Sequence, residues 1–188
     1  MNAPTPPSAP SAPRRRRRWL LGGVALAALA AGGGVALYRL QPGSADADAV
    51  VLLQQLSLPD AEGKAYALAA TAGQTVVLNF WATWCPPCIE EMPDLATLHR
   101  EIAGRNGRVI GIGIDSPDNI REFASKHRFP YPLLVGGMGG TELSRRFGNS
   151  SGALPFTVVI APDRQIAKRI LGRVRLDQLR KVVEPLLR

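Results

Sequence analysis

Cysteine and histidine are scarce in this chain: its 188 residues include two of each. A structural zinc site takes about four Cys/His ligands at close spacing. Here there is one Cys-x-x-Cys and no second, and His99 and His127 stand apart, so that reading fails. Acidic residues are missing from the start of the chain, where Asp46 is the first. Charge of either sign is missing from residues 19–38. The cluster Gly136-Gly137-Met138-Gly139-Gly140 lacks a following Gly-Lys-Ser/Thr, so it reads as a plain flexible loop rather than a phosphate loop.

What is present divides the chain. Residues 1–13 place Pro4, Pro6, Pro7, Pro10 and Pro13 among Ala, Ser and Thr, a composition that buries too little apolar surface to order itself. Arg14 to Arg18 follow as an unbroken basic run, so residues 1–18 read as a disordered tail and a cytoplasmic basic stretch. Residues 19–38 are almost all Leu, Ala, Val and Gly, with Trp19 and Tyr38 at the ends. At helical rise, 20 such residues span about 30 Å, the thickness of a bilayer core. Five arginines precede the span and Arg39 alone follows it, which puts the N-terminus inside and the remainder outside the cytoplasmic membrane, in a periplasmic or extracytoplasmic space. A cleaved signal peptide is the rival, because Arg16 to Leu21 resembles a twin-arginine signal and Ala45-Asp46-Ala47 has an A-x-A form. The apolar stretch is longer than a usual signal core, which favours an uncleaved single-pass anchor.

The net charge of +8 belongs to that anchor. Residues 44–188 carry 17 basic and 15 acidic side chains, so nothing in them demands nucleic acid. Residues 39–49 read as a linker and 50–188 as one soluble domain. Within it, Val50 to Leu58 is strand-like, Pro59 to Lys64 a turn, and Tyr66-Ala67-Leu68 a short return strand. Arg108 to Ile114 suits a central strand. Asp115-Ser116-Pro117 caps a helix burying Ile120, Phe123 and Ala124, and Thr141 caps another through Phe147. Phe156 to Ala161 and Ile166 to Leu171 form a hairpin, and Leu176 to Leu187 an amphipathic helix. Strands alternating with helices predict an α/β domain with a mixed sheet between helices.

The chemistry is concentrated in Val76-Val77-Leu78-Asn79-Phe80-Trp81-Ala82-Thr83-Trp84-Cys85-Pro86-Pro87-Cys88. The run begins as a strand and turns into a helix whose apolar face is Ile89, Met92, Leu95, Leu98 and Ile102. A helix start offers free N–H groups and partial positive charge, both of which favour a thiolate at Cys85. Pro86 and Pro87 suit the first turn, where a missing N–H costs nothing. Cys88, one turn on, is close enough to close a disulfide back onto Cys85. So short a loop makes a poor structural staple by the chain-entropy argument, which leaves redox chemistry.

These residues resemble the membrane-anchored TlpA/ResA-type thioredoxin-like proteins, thiol–disulfide oxidoreductases on the outer side of bacterial cytoplasmic membranes. The resemblance rests on WATWCPPC followed by Glu91-Met92-Pro93 and on Gly152-Ala153-Leu154-Pro155-Phe156-Thr157. It implies a thioredoxin-like fold with an N-terminal β-hairpin and an inserted helix, preceded by one transmembrane helix. Pro93 matches a helix-kinking proline and Pro155 a cis-proline facing the disulfide. Glu91 matches an acidic residue near the active site, whose rival reading is a solvated helix-surface carboxylate. Cytoplasmic thioredoxins keep a buried aspartate six residues before the first cysteine; Asn79 stands there and cannot relay a proton.

Cys85, exposed, is thus the expected nucleophile, with Cys88 resolving and Glu91 raising the thiol pKa or carrying a proton. Trp84, Pro86, Pro87, Leu154 and Pro155 are the expected substrate contacts. His99 and His127 read as surface positions. No cofactor is needed beyond the Cys85–Cys88 couple, and no metal site is expected. The implied partners are disulfide-containing exported proteins, such as those of cytochrome c or copper-site assembly, and a membrane thiol carrier that re-reduces the domain. Two other activities use the same cysteines: an oxidase introducing disulfides, and a copper-binding chaperone. A peroxidase would need a Thr/Arg arrangement that Thr83-Trp84 does not make.

Overall fold

A computed structural model describes residues 42–187. The tail, basic run and anchor predicted at 1–38 lie outside the described residues. Among the described residues, no helix is long and apolar enough to cross a membrane.

The first element corrects the sequence reading. Pro42–Gln55 is a helix, α1, where residues to 49 were expected as linker and Val50 onward as strand. Val50-Val51 has strand propensity, but Ala49, Val50 and Leu53 are all buried at helical spacing, and tertiary packing of that stripe outweighs propensity. The hairpin survives in shortened form as β1 (Ser57–Pro59) and β2 (Ala65–Ala67), with Leu58 opposite Tyr66. Its turn is closed by Asp60 Oδ1, which accepts from the N–H of Glu62 at 3.1 Å and of Lys64 at 2.8 Å.

A 3-10 turn at Leu68–Thr71 leads into β3 (Thr75–Trp81), which is buried along its whole length. Next come α2 (Pro86–Ile102), β4 (Gly107–Gly113), α3 (Pro117–Lys126), β5 (Leu133–Val135) and α4 (Gly137–Arg146). The chain ends with β6 (Phe156–Ile160), β7 (Ile166–Leu171), α5 (Leu176–Val183) and a 3-10 turn at Glu184–Leu186. The five-stranded sheet has the order β5-β4-β3-β6-β7, with β3, β4 and β5 parallel and β6 and β7 antiparallel to their neighbours. The inserted helix is α3, whose N-terminus is capped by Ser116 Oγ accepting from Asn119 N–H at 3.2 Å.

Side-chain alternation sorts the core into two layers. Val77, Trp81, Val109, Leu133 and Val159 pack with α2, α3 and α5. Val76, Leu78, Phe80, Ile110, Ile112, Leu134 and Val158 pack on the other face with α1, the 3-10 turn and α4. This is the expected mixed sheet between helices.

The glycine cluster is a second correction. Instead of a flexible loop it forms the start of α4, which begins before Thr141 and is not capped by it. A Cβ at Gly136 would stand 2.6 Å from Ile112 Cγ2 and 3.1 Å from the Gly113 carbonyl oxygen, and one at Gly140 would stand 3.2 Å from Ile114 Cγ1. At Gly136 and Gly140 the missing side chains let the helix approach β4 closely, whereas Gly137, at a φ of +51° with open space around it, serves the backbone.

Candidate functional site

β3 runs out of the sheet at Trp81, and four residues later Cys85 is the N-cap of α2 with Pro86 in the first turn. Its carbonyl accepts from the N–H of Cys88 at 3.0 Å and of Ile89 at 3.3 Å, so the cysteine backbone is the first hydrogen-bonding unit of the helix. Cys85 and Cys88 form a disulfide, their Cα atoms 5.3 Å apart. Cys85 is 4% exposed and Cys88 fully covered. The exposed nucleophile read from the sequence is therefore almost buried, because Cys85 packs into the core cluster with Ala82, Cys88 and Met92. The accessible edge of the disulfide still belongs to Cys85.

The residues expected as substrate contacts lie at the same end of the sheet as the disulfide. Trp84 is 66% exposed, an unusual position for an indole, and Pro86 and Pro87 are exposed beside it. Phe80 pairs with Phe156 across the antiparallel β3–β6 ladder, so the chain enters β6 at the end of the sheet where it leaves β3 for Cys85. Leu154 and Pro155 stand at that entry, joined by a cis peptide bond, the isomer that the resemblance implies.

Glu91 is one helical turn beyond Cys88 and fully buried, which overturns the solvated-surface alternative. Its Oε1 accepts from Asn79 Nδ2 at 2.7 Å and its Oε2 from Val174 N–H at 2.7 Å. Burial pushes its carboxyl up to about 7 against these hydrogen bonds and the nearby Arg173. Glu90, its neighbour, faces outward and pairs with Arg173 at 2.5 Å. Glu91 falls three after Cys88 and four before Leu95, on the buried stripe.

Two residues that the sequence named, Asn79 at the place of a buried aspartate and Asp115 in a helix cap, make hydrogen bonds around the site that sequence reasoning missed. Asn79 is buried on the same face of β3 as Val77 and Trp81, where it also donates to Thr157 Oγ1 at 3.0 Å. Its alternation with those two residues was the available signal. Asp115 receives Thr83 Oγ1 on Oδ2 and Asn119 Nδ2 on Oδ1 at 2.7 Å, tying the segment before Cys85 to the inserted helix. These hydrogen bonds outweigh its desolvation and lower its pKa. The structure does not bring His99 or His127 to the site. His99 is half-buried rather than on the surface, its Nδ1 accepting from Val109 N–H at 3.2 Å, and His127 is exposed at the end of α3. Among the described residues no cluster of three or more His, Cys, Asp or Glu is placed to hold a metal ion.

The arrangement is a dithiol couple at a helix N-terminus, with an apolar rim and a buried acid behind it. Comparison with known proteins agrees with that chemistry. The AhpC/TSA family model matches residues 52–169. The thiol–disulfide oxidoreductase ResA of Bacillus thuringiensis (strain Al Hakam) is 30% identical over 121 residues, 64% of this chain and 68% of the relative. ResA of Geobacillus thermodenitrificans is 27% identical over 68% of this chain and 71% of its own. Among solved structures, a thiol:disulfide interchange protein of the thioredoxin family from Chlorobium tepidum superposes with a TM-score of 0.61 at 26% identity, covering 70% of this chain and 92% of that one. A secreted thiol–disulfide isomerase from Corynebacterium glutamicum superposes with a TM-score of 0.61 at 26% identity, covering 70% and 82%.

Proposed function

The chain belongs to the AhpC/TSA family and is a thiol–disulfide oxidoreductase of thioredoxin-like fold, and from that premise we propose that it works as a reductase of disulfides in exported proteins. The observation that carries the reading is the Cys85–Cys88 disulfide at the start of α2 with Glu91 buried one turn behind Cys88. In the reduced protein, the Cys85 thiolate attacks one sulfur of a client disulfide, forms a mixed disulfide and releases a client thiolate. Cys88, deprotonated, then attacks Cys85 Sγ, closing the disulfide seen here and releasing the second client thiol. Two electrons pass to the client. Glu91 takes the Cys88 proton, a role suited to a carboxyl whose pKa lies near neutrality. Trp84, Pro86 and Pro87 on one side and Leu154 and Pro155 on the other receive the client segment around its cysteine.

The setting is read from the chain as a whole. The uncharged run at 19–38 behind five arginines supports display of the domain outside the cytoplasmic membrane, where disulfides persist and a reductant must be supplied. A membrane thiol carrier is the re-reducing partner, and clients are of the kind found in cytochrome c or copper-site assembly.

Removal of the resolving thiol tests the roles. Reduced Cys88→Ala, mixed with a disulfide-bonded protein, accumulates a mixed disulfide through Cys85, and Cys85→Ala forms none. Turnover by Cys88→Ala without a trapped species would contradict the assignment.

A further inference from the structure

Asn79 and Thr157 are register partners across β3 and β6, and both belong to the sheet face covered by α2, where Glu91 is buried. Asn79 Nδ2 uses both hydrogens there, one toward Glu91 Oε1 at 2.7 Å and one toward Thr157 Oγ1 at 3.0 Å. Its Oδ1 is buried with no partner. Glu91 Oε2 accepts from Val174 N–H, a backbone group that can only donate, whereas the donor on Oε1 is a side-chain amide that can turn. A proton added to Glu91 therefore belongs on Oε1, where it meets an amide that is itself a donor. Two donors face to face leave a buried group unsatisfied, which the low-dielectric interior penalises.

Turning the amide over about its terminal bond removes the conflict. Oδ1 then occupies the place of Nδ2, and its two lone pairs accept from the Glu91 O–H and the Thr157 O–H. Two hydrogen bonds exist in either state, and one amide atom stays unpartnered in either state. We propose that the Asn79 side chain is a two-position rotor, donating to Glu91 and Thr157 when the glutamate is ionised and accepting from both when it is protonated. Asn79 is thus a positioning residue: it lets the carboxyl exchange a proton one turn from Cys88 without losing a hydrogen bond or moving the backbone. An aspartate at this position would set a second buried carboxylate against Glu91. The inference deepens the proton-acceptor reading of Glu91 and rests on it. The other groups facing Glu91 are Arg173 from the β7–α5 connection, Asp94 from its own helix and the buried Tyr131 from the segment before β5; Glu90 is held outside by Arg173.

Labelled full-length protein in the disulfide form tests the rotor by NMR. The Glu91 Cδ resonance gives the midpoint of its titration. Above that midpoint the Asn79 Nδ2 protons show NOEs to Glu91 and Thr157; below it the rotor predicts their loss, and NOEs retained on both sides overturn it. Asn79→Leu provides an independent reading. A fixed donor favours only the carboxylate, so its removal would lower the Glu91 acid constant about tenfold or more, roughly one pH unit. A rotor favours both states, and the constant stays within about threefold. The proton-acceptor reading is separated by the pH profile of Cys88 alkylation in reduced wild type and Glu91→Gln. Lost NOEs with identical profiles support the rotor and sink the acceptor role; retained NOEs with different profiles do the reverse.

Discussion

At Glu91, burial outweighs two short hydrogen bonds and a nearby guanidinium, and the consequence is measurable as stability. The unfolded carboxyl titrates near 4.5 and the folded one near 7, so the native state prefers the protonated form. Below pH 4.5 both states hold the proton and the stabilisation is fully present. Between these values the native state binds a proton that the unfolded chain has released, so stability falls as pH rises; above 7 the loss is constant. The change amounts to about 3 kcal/mol. Glu91→Gln keeps the side chain neutral at every pH. Urea unfolding of the disulfide form should therefore show the variant gaining about 3 kcal/mol on wild type between pH 4.5 and 8. A difference independent of pH would mean that the carboxyl is not held up by its surroundings. The resemblance singled out Glu91 in the sequence, but the choice between a buried acid and a solvated carboxylate was made only by the packing of α2. Its partners were not readable in the sequence, since Thr157 lies 78 residues from Asn79 and meets it only through the β3–β6 register.

Among the elements, those with strong local signals emerged where the sequence put them. The active-site helix, β3, β4, the Ser116-capped helix and the β6–β7 hairpin each carry periodicity or capping that local chemistry enforces. The two corrected elements are those in which tertiary packing decides. α1 contains a β-branched pair that reads as strand until Ala49, Val50 and Leu53 find the sheet face opposite α2. The glycine cluster reads as a loop because nothing local reveals that α4 must lie close on β4. The two accounts of Gly136 predict opposite outcomes. Its φ of −89° is open to any residue, so a flexible-loop glycine there would accept alanine or gain from it. Close packing predicts instead that Gly136→Ala costs about 1–3 kcal/mol in denaturant unfolding, because the new methyl meets backbone as well as the Ile112 side chain. A neutral or stabilising result would return Gly136 to the flexible-loop reading.

Across residues 42–187, two helical layers hold the five-stranded sheet, and the end of that sheet where β3 finishes and β6 begins carries the disulfide and the residues expected to meet a client. Trp84, Pro86 and Pro87 leave β3 there, and Leu154 and Pro155 enter β6 there. The charge follows a different division: the excess of arginine lies in the first 39 residues, and the near-neutral remainder carries little net charge to steer a partner. In the proposed function, client choice falls to the apolar rim. That site is legible in the sequence because chemistry demands a contiguous motif, whereas the direction of electron flow is a property of the couple. The reduction potential of Cys85–Cys88 in the full-length protein, equilibrated against a thiol buffer, tests the reductase account most directly. The account predicts a value at or below about −220 mV, in the range of thioredoxins and glutaredoxins. A value near about −120 mV, as in strong oxidants, would contradict it and make the protein a source of disulfides.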